Sequence, residues 1–171
     1  MAVPKLPLLA ADTNFLIDLE DGANFALEGL EVLKRRLVGH VMYVPPTVIT
    51  ELAYGVENWE GDRRRLAVCA LQNMKPKWGF QPSEFIPVGH GIVEITALHL
   101  IAEGLIPKEE QNDAFILAES ALLKAQILIT SDRHLTGVDP GKLRAILESR
   151  DLCPVLIQAP RSIAQKFGGK R

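Results

Sequence analysis

At 171 residues, 47% of them hydrophobic and 23% charged, the chain has the composition of one globular domain, long enough to bury a sizeable core. A formal charge of −2 and a pI near 6.1 exclude a broadly basic protein that coats nucleic acid, so any such contact must rest on a local basic patch and on cations that offset acidic groups. Cys69 and Cys153 show no CxxC or other ligand spacing, and the expectation is two small buried hydrophobes in a reducing cytosol and no disulfide framework. No apolar run is long enough to span a bilayer, and the expectation is a soluble cytoplasmic protein with no membrane partner.

Short apolar runs alternate with longer segments of helical period, the pattern of an α/β protein with a parallel sheet. The first run is Leu6–Ala11. A helix is expected over Phe25–Leu37, where Leu27, Leu30, Leu33 and Leu37 recur at helical spacing. Val41–Val44 is the second strand, stopped by Pro45-Pro46, and Thr47–Val56 then reads as a helix. Asp62–Met74 is the next helix. Lys75–Ser83, with Pro76, Gly79 and Pro82, is the most loop-like stretch of the chain. Phe85–Val88 is expected as strand three, followed by a helix over Gly91–Glu103 that Gly104 ends as a C′ residue. Pro107 opens a helix running to about Ala125, before strand four at Ile127–Thr130. A short helix at Gly141–Ser149 and a fifth strand at Val155–Ile157 follow. The remainder, ending in KFGGKR, is expected to be a flexible tail from about residue 161 of a single domain spanning 1–171.

Against these elements, the acids fall in a suggestive way. Asp12 ends the first strand and Asp132 follows the fourth, and in an open parallel sheet ligands bind outside the carboxyl ends of the strands. Glu51 lies near the start of the helix after strand two. Asp113 lies in the helix leading into strand four, on a polar stripe with Ser120 and Lys124. Clustered carboxylates repel one another unless cations neutralise them, and oxygen-only ligands suit hard Mg²⁺ or Mn²⁺. Such ions serve phosphodiester hydrolysis by activating water and by stabilising the leaving oxygen.

Each acid also has a plain structural reading. Asp12 and Asp132 can be turn or cap residues, and Glu51 can serve the dipole of its helix. With Pro107 as the start of its helix, Asp113 lies beyond the first turn, so the dipole does not account for it.

Three stretches resemble the PIN-domain nucleases, the family that includes the VapC-type toxins of bacterial toxin–antitoxin pairs: LLAADTNFLIDL around Asp12, PPTVITELAYG around Glu51, and NDAFILAESALLKAQILITSDRHL, which holds Asp113 and Asp132. The resemblance implies a three-layer α/β/α sandwich with strand order 3-2-1-4-5 and metal-dependent cleavage of RNA. It implies catalytic and metal-binding roles for Asp12, Glu51, Asp113 and Asp132 with Mg²⁺ or Mn²⁺. Thr130 would hydrogen-bond within the site, and Asn14 would orient Asp12. An antitoxin protein and a homodimer are the partners it implies, besides RNA. The chain departs from the compact toxins in a slightly long Asp113–Asp132 spacing and in extra sequence between Val56 and Phe85 and beyond Asp151.

Other groups carry less. Arg63-Arg64-Arg65 and Lys34-Arg35-Arg36 can touch phosphates but equally form solvated helix faces. Lys75 and Lys77 beside Trp78 pair charge with a stacking surface. His40, His90, His99 and His134 share no zinc spacing, although His134 sits close enough to Asp132 in sequence to reach a substrate. Two classes of function remain, a metal-dependent endoribonuclease and a non-catalytic PIN-like module that binds RNA or protein.

Overall fold

The computed structural model describes residues 7–83 and 90–169. Five parallel strands form one sheet in the order β3-β2-β1-β4-β5. They are β1 (Leu8–Ala11), β2 (Val41–Val44), β3 (Phe80–Pro82), β4 (Ile127–Ile129) and β5 (Leu156–Gln158). Leu9, Ala10 and Ala11 of the central strand are all fully buried. Successive strand residues point to opposite faces, so both faces of the sheet are covered, as a three-layer arrangement requires.

Two helices of the N-terminal half follow β1. In α1 (Thr13–Glu20), Phe15, Leu16 and Leu19 are buried, and Phe15 meets Phe80 of β3 edge-on with centroids 6.2 Å apart. In α2 (Asn24–Arg36), Ala26, Leu30 and Leu33 turn inward while Lys34, Arg35 and Arg36 complement the carbonyl end. Pro46 opens α3 (Pro46–Asn58), where its missing N–H and fixed φ suit the first turn. Next come α4 (Gly61–Asn73) and, after β3, α5 (His90–Ala102). Gly104 has φ +70°, and Leu105 N donates to Leu100 O at 3.0 Å, which completes the left-handed C-terminal cap expected there. The chain then runs through α6 (Gln111–Leu122), α7 (Arg133–Thr136), α8 (Pro140–Glu148) and α9 (Pro160–Phe167).

Several expectations need correction. Strand three is Phe80–Pro82, inside the stretch expected to be loop, and the expected strand Phe85–Val88 lies outside the described residues. Ser83 N donates to Val44 O at 2.9 Å and Phe80 is fully buried, so pairing and one inward aromatic outweigh the local Pro and Gly signals. The helix expected from Pro107 starts only at Gln111 and stops at Leu122; Lys124 has φ +63° and leaves the helical stripe. Helices α1 and α7 were not anticipated.

Where a flexible tail from about residue 161 is expected, the structure has α9 packed on α2. Pro160 and Ile163 are buried, Arg161 lies over the Phe25 ring at 5.4 Å, and Arg36 donates to Phe167 O at 3.1 Å. Gly29 of α2 permits this contact. A Cβ there would lie 2.8 Å from both Cβ and O of Pro160, closer than real Cβ contacts come. Alanine in place of Gly29 gains about 1 kcal/mol of helix propensity. It also forces the backbone of α9 away, and overpacking of this kind costs about 1–3 kcal/mol. The expected result for Gly29→Ala is therefore a net loss of stability in urea denaturation; a stabilised variant would mean that α9 does not sit in this groove.

Candidate active site

The carboxyl ends of the strands gather the acids. Backbone pairing continues one residue beyond β1, Asp12 N donating to Ile129 O at 3.0 Å, which fixes Asp12 beside the end of β4. Its side chain is 2% exposed. Oδ1 accepts from Thr13 N at 2.7 Å, so Asp12 is the N-cap of α1, and Oδ2 accepts from the Thr130 hydroxyl at 2.6 Å. Thr130 Oγ1 in turn accepts from Asp132 N at 2.9 Å. One hydroxyl thus couples the two strand-end acids.

Asp132 is itself the N-cap of α7, its Oδ1 accepting from His134 N at 2.7 Å and its Oδ2 from Asn14 Nδ2 at 3.1 Å. Asn14 therefore holds Asp132 and not Asp12 as the resemblance implied. Glu51 is the sixth residue of α3, past the turn where a helix dipole acts, and its Oε2 accepts from the Thr13 hydroxyl at 2.6 Å. Asp113 is the third residue of α6, within the first turn, which reverses the expectation that the dipole does not reach it.

Electrostatics join the four acids. Burial pushes the Asp12 carboxyl up to about 7; the Thr130 and Thr13 hydrogen bonds oppose this, and the charges of Glu51 and Asp132 add to it. Burial raises Asp113 further, to about 8, and Asp12, Asp132, Glu110 and Glu51 all push in the same direction. The positive end of α6 favours an ionised Asp113, but burial and four acidic neighbours outweigh it. Asp113 Oδ2 is buried with no hydrogen-bond partner.

Whether these residues can hold a divalent ion is a question of donor chemistry and of convergence. The donors are all oxygen, two of the acids resist ionisation, and one buried oxygen lacks a partner, which is the condition a hard cation relieves. As the side chains stand, each of the other three acids points an oxygen at a protein donor. Among the described residues, no three His, Cys, Asp or Glu side chains converge on a single ion position.

No family model matches the sequence, and no curated protein matches it. Solved structures do match the fold. VapBC2 from Rickettsia felis, bound to a DNA fragment from their promoter, superposes with a TM-score of 0.60 at 16% identity, over 89% of this chain and 98% of that one. VapBC-5 from Mycobacterium tuberculosis, a member of the VapBC family of toxin-antitoxin systems, gives 0.54 at 18% identity, again over 89% and 98%. The fold is that of a VapC-like PIN domain.

Around the four acids, this VapC-like fold places groups that the sequence did not single out. Asp18, one turn after Asn14, accepts from the Ser131 hydroxyl at 2.5 Å and so ties α1 to the residue between Thr130 and Asp132; burial raises its carboxyl despite that bond. Glu119 is buried and accepts from Thr47 N at 3.0 Å and from the Thr47 hydroxyl at 2.7 Å, which pins the start of α3 to α6 and fixes Glu51 relative to Asp113. Glu110 meets His134 Nε2 at 3.8 Å across the rim of the site. Glu119, sited in a largely apolar helix, carries a signal: a lone acid among Phe115, Ile116 and Leu122 at helical spacing needs a partner. Asp18 and Glu110 carried none.

The basic groups beside Trp59 and Trp78 make contacts of their own. Arg63 lies over Trp59 at 4.3 Å and Arg65 pairs with Asp62 at 3.3 Å. Lys77 covers the Trp78 ring at 4.5 Å, while the Trp78 indole N–H donates to Glu20.

The raised carboxyls set a pH dependence. Unfolded, Asp12 and Asp113 titrate near the ordinary value of about 4. Folded, they keep their protons to about 7 and about 8. The folded state therefore binds more protons between those limits, and the stability of the metal-free protein is full below the unfolded value and is lost as pH rises through 7 to 8. Thermal denaturation in EDTA should show Tm falling between about pH 5 and about pH 8, and Asp113→Asn should remove much of that fall and exceed wild type at the upper end. A Tm that holds constant in wild type, with no gain from Asp113→Asn, would contradict this electrostatic picture.

Proposed function

We propose that the chain is a divalent-metal-dependent ribonuclease that hydrolyses phosphodiester bonds in RNA and acts as the toxin of a toxin–antitoxin pair. The observation that carries this reading is the meeting of Asp12, Glu51, Asp113 and Asp132, from four separate elements, at one sheet edge, with a buried Asp113 oxygen left without a partner. A fold gains nothing in stability from gathering these charges unless something positive or phosphate-bound through a cation joins them. The partner of the two VapBC structures supports a protein antitoxin for this chain as well. A homodimer and a cytoplasmic setting belong to the same proposal, and no helix among the described residues is long and apolar enough to cross a membrane.

Asp12, Asp113, Asp132 and Glu51 would hold Mg²⁺ or Mn²⁺. Bound there, the metal supplies a water of lowered pKa and positive charge beside the scissile phosphate. The residues of the chain provide the rest. Thr130 holds Asp12 at the sheet edge and links it to Asp132 through one hydroxyl. Asn14 and Thr13 restrain Asp132 and Glu51 through single hydrogen bonds, which a competing cation can exchange at modest cost. Burial of Asp12 removes water from one side of the site and strengthens the electrostatic interactions made there.

A specific observation favours a second reading. Because three of the acids already accept from internal donors and, among the described residues, no three converge on one ion position, the same geometry is consistent with a non-catalytic PIN-like module that binds RNA or protein. Cleavage separates the two. Purified wild type should cut single-stranded or structured RNA with Mg²⁺ or Mn²⁺ and lose this activity in EDTA, and Asp12→Asn or Asp113→Asn should abolish it. Unchanged cleavage in both variants, or none by wild type with either metal, rules the ribonuclease reading out. A readout without RNA accompanies it: Mn²⁺ near pH 8 should raise the Tm of wild type and leave Asp113→Asn almost unmoved.

A further inference from the structure

The face of α3 that carries Glu51 continues beyond the carboxylates. Thr47, Glu51 and Tyr54 lie at helical spacing on that face, and the Tyr54 side chain is 60% exposed. Asn112 and Phe115 of α6 stand opposite. With Thr50 these residues line a pocket of about 390 Å³. An adjoining hollow of about 320 Å³ shares Glu51 and Asn112 with it and reaches Asp113 and Lys108. The pocket is therefore continuous with the acidic cluster.

Its polar groups are unevenly committed. The Thr47 hydroxyl donates to Glu119 at 2.7 Å and that of Thr50 to Pro46 O at 3.2 Å. The Asn112 carboxamide is engaged by no other described residue, so a donor and an acceptor remain available beside two aromatic rings.

We propose that this pocket is a base-binding subsite, in which one nucleobase of single-stranded RNA, adjacent to the phosphate at the carboxylates, stacks on Tyr54 and offers its hydrogen-bonding edge to Asn112. The inference rests on the ribonuclease reading for the position of the phosphate. Charge selects the occupant: Glu51 and Glu110 repel a bare phosphate or an acidic peptide, whereas a nucleobase is uncharged, flat and polar at its edge. An exposed aromatic ring at the end of a polar track is the form a stacking platform takes. Phe115, half-buried, closes the inner wall. Lys108, which lines the adjoining hollow with Asp113, offers a cation to the neighbouring phosphate of the same strand.

The test uses the full chain, with Tyr54→Ala and Tyr54→Phe. Cleavage of short oligoadenylate and oligouridylate is followed with Mg²⁺ or Mn²⁺, and binding of the same fluorescein-labelled oligomers by anisotropy with Ca²⁺ in place of Mg²⁺. Tyr54→Ala should raise KM and Kd for at least one oligomer by about tenfold. The change in kcat should be small, and Tyr54→Phe should stay close to wild type. An abasic oligomer should bind wild type and Tyr54→Ala equally.

If Tyr54→Ala cleaves and binds as wild type does, or weakens the abasic oligomer as much as the others, the subsite is overturned while the ribonuclease stands. If wild type cleaves nothing yet Tyr54→Ala still loses base-dependent binding, the subsite stands and the ribonuclease reading falls. If wild type binds none of the oligomers, the subsite is overturned. Since Tyr54 projects into solvent, an unchanged Tm shows that the variant is folded.

Discussion

The hydrogen bond from the Thr130 hydroxyl to Asp12 Oδ2, at 2.6 Å, is the contact on which the rest of the site depends. It bridges the ends of two adjacent parallel strands, and the Thr130 hydroxyl oxygen in turn accepts the backbone N–H of Asp132. Valine at this position would keep the shape of the strand end but leave a buried carboxylate short of a donor and a backbone N–H without an acceptor. Burial costs a carboxylate far more than it costs a hydroxyl, and the penalty is met only where donors surround the charge. In this chain two donors reach Asp12, and burial outweighs them and raises its carboxyl.

From that anchor the geometry spreads outward. Thr13, directly after Asp12, takes Glu51 from α3, and Asn14 takes Asp132. Two residues of α1 thus tie together acids that the sequence separates by 38 and 118 positions from them. Glu119 performs the corresponding task between α3 and α6. The one acid without such a tie is Asp113, whose Oδ2 is buried and unpaired, and it is also the acid raised furthest. Order in the rest of the cluster concentrates the electrostatic conflict at Asp113, where a cation would relieve most of it.

Legibility in the sequence followed how local the deciding force was. Strand β2 matches its expected range of Val41–Val44 because a short apolar run meets Pro45-Pro46, and both signals act within a few residues. The strand order follows from the PIN-like stretches taken together. Strand β3 was misplaced because its three residues have weak local signals and owe their state to pairing with β2. Helix α1 was missed because it starts directly at Asp12 with no intervening turn, so LLAADTNFLIDL runs from strand period to helical period without punctuation. Helix α9 reads as tail in the sequence because its apolar residues are few; a glycine on α2, distant in sequence, makes its docking possible. The four principal acids were visible from their placement relative to strand ends. Their supporting bonds were not, since Asn14 lies two residues from Asp12 in sequence yet serves Asp132.

The plain and functional readings of Asp12 and Asp132 also turn out not to compete. Both residues are N-caps, with Oδ1 accepting from the backbone one or two positions ahead. A cap of this kind fixes the side-chain torsions and aims the second oxygen away from the helix it starts. Because α1 and α7 both begin at the carboxyl edge of the sheet, both second oxygens are delivered to that edge and bonded there, to Thr130 and to Asn14. Capping is therefore the means by which a strand-end aspartate is oriented before any ligand arrives, and it lowers the entropy lost when one does. Glu51 and Asp113 arrive from helices and lack that device. Glu51 is oriented instead by the Thr13 hydroxyl, while Asp113 has the helix dipole but no donor on Oδ2. The asymmetry divides the cluster into a rigid strand-end pair and a helix-borne pair, and it is the helix-borne side, between α3 and α6, that opens onto the Tyr54 pocket.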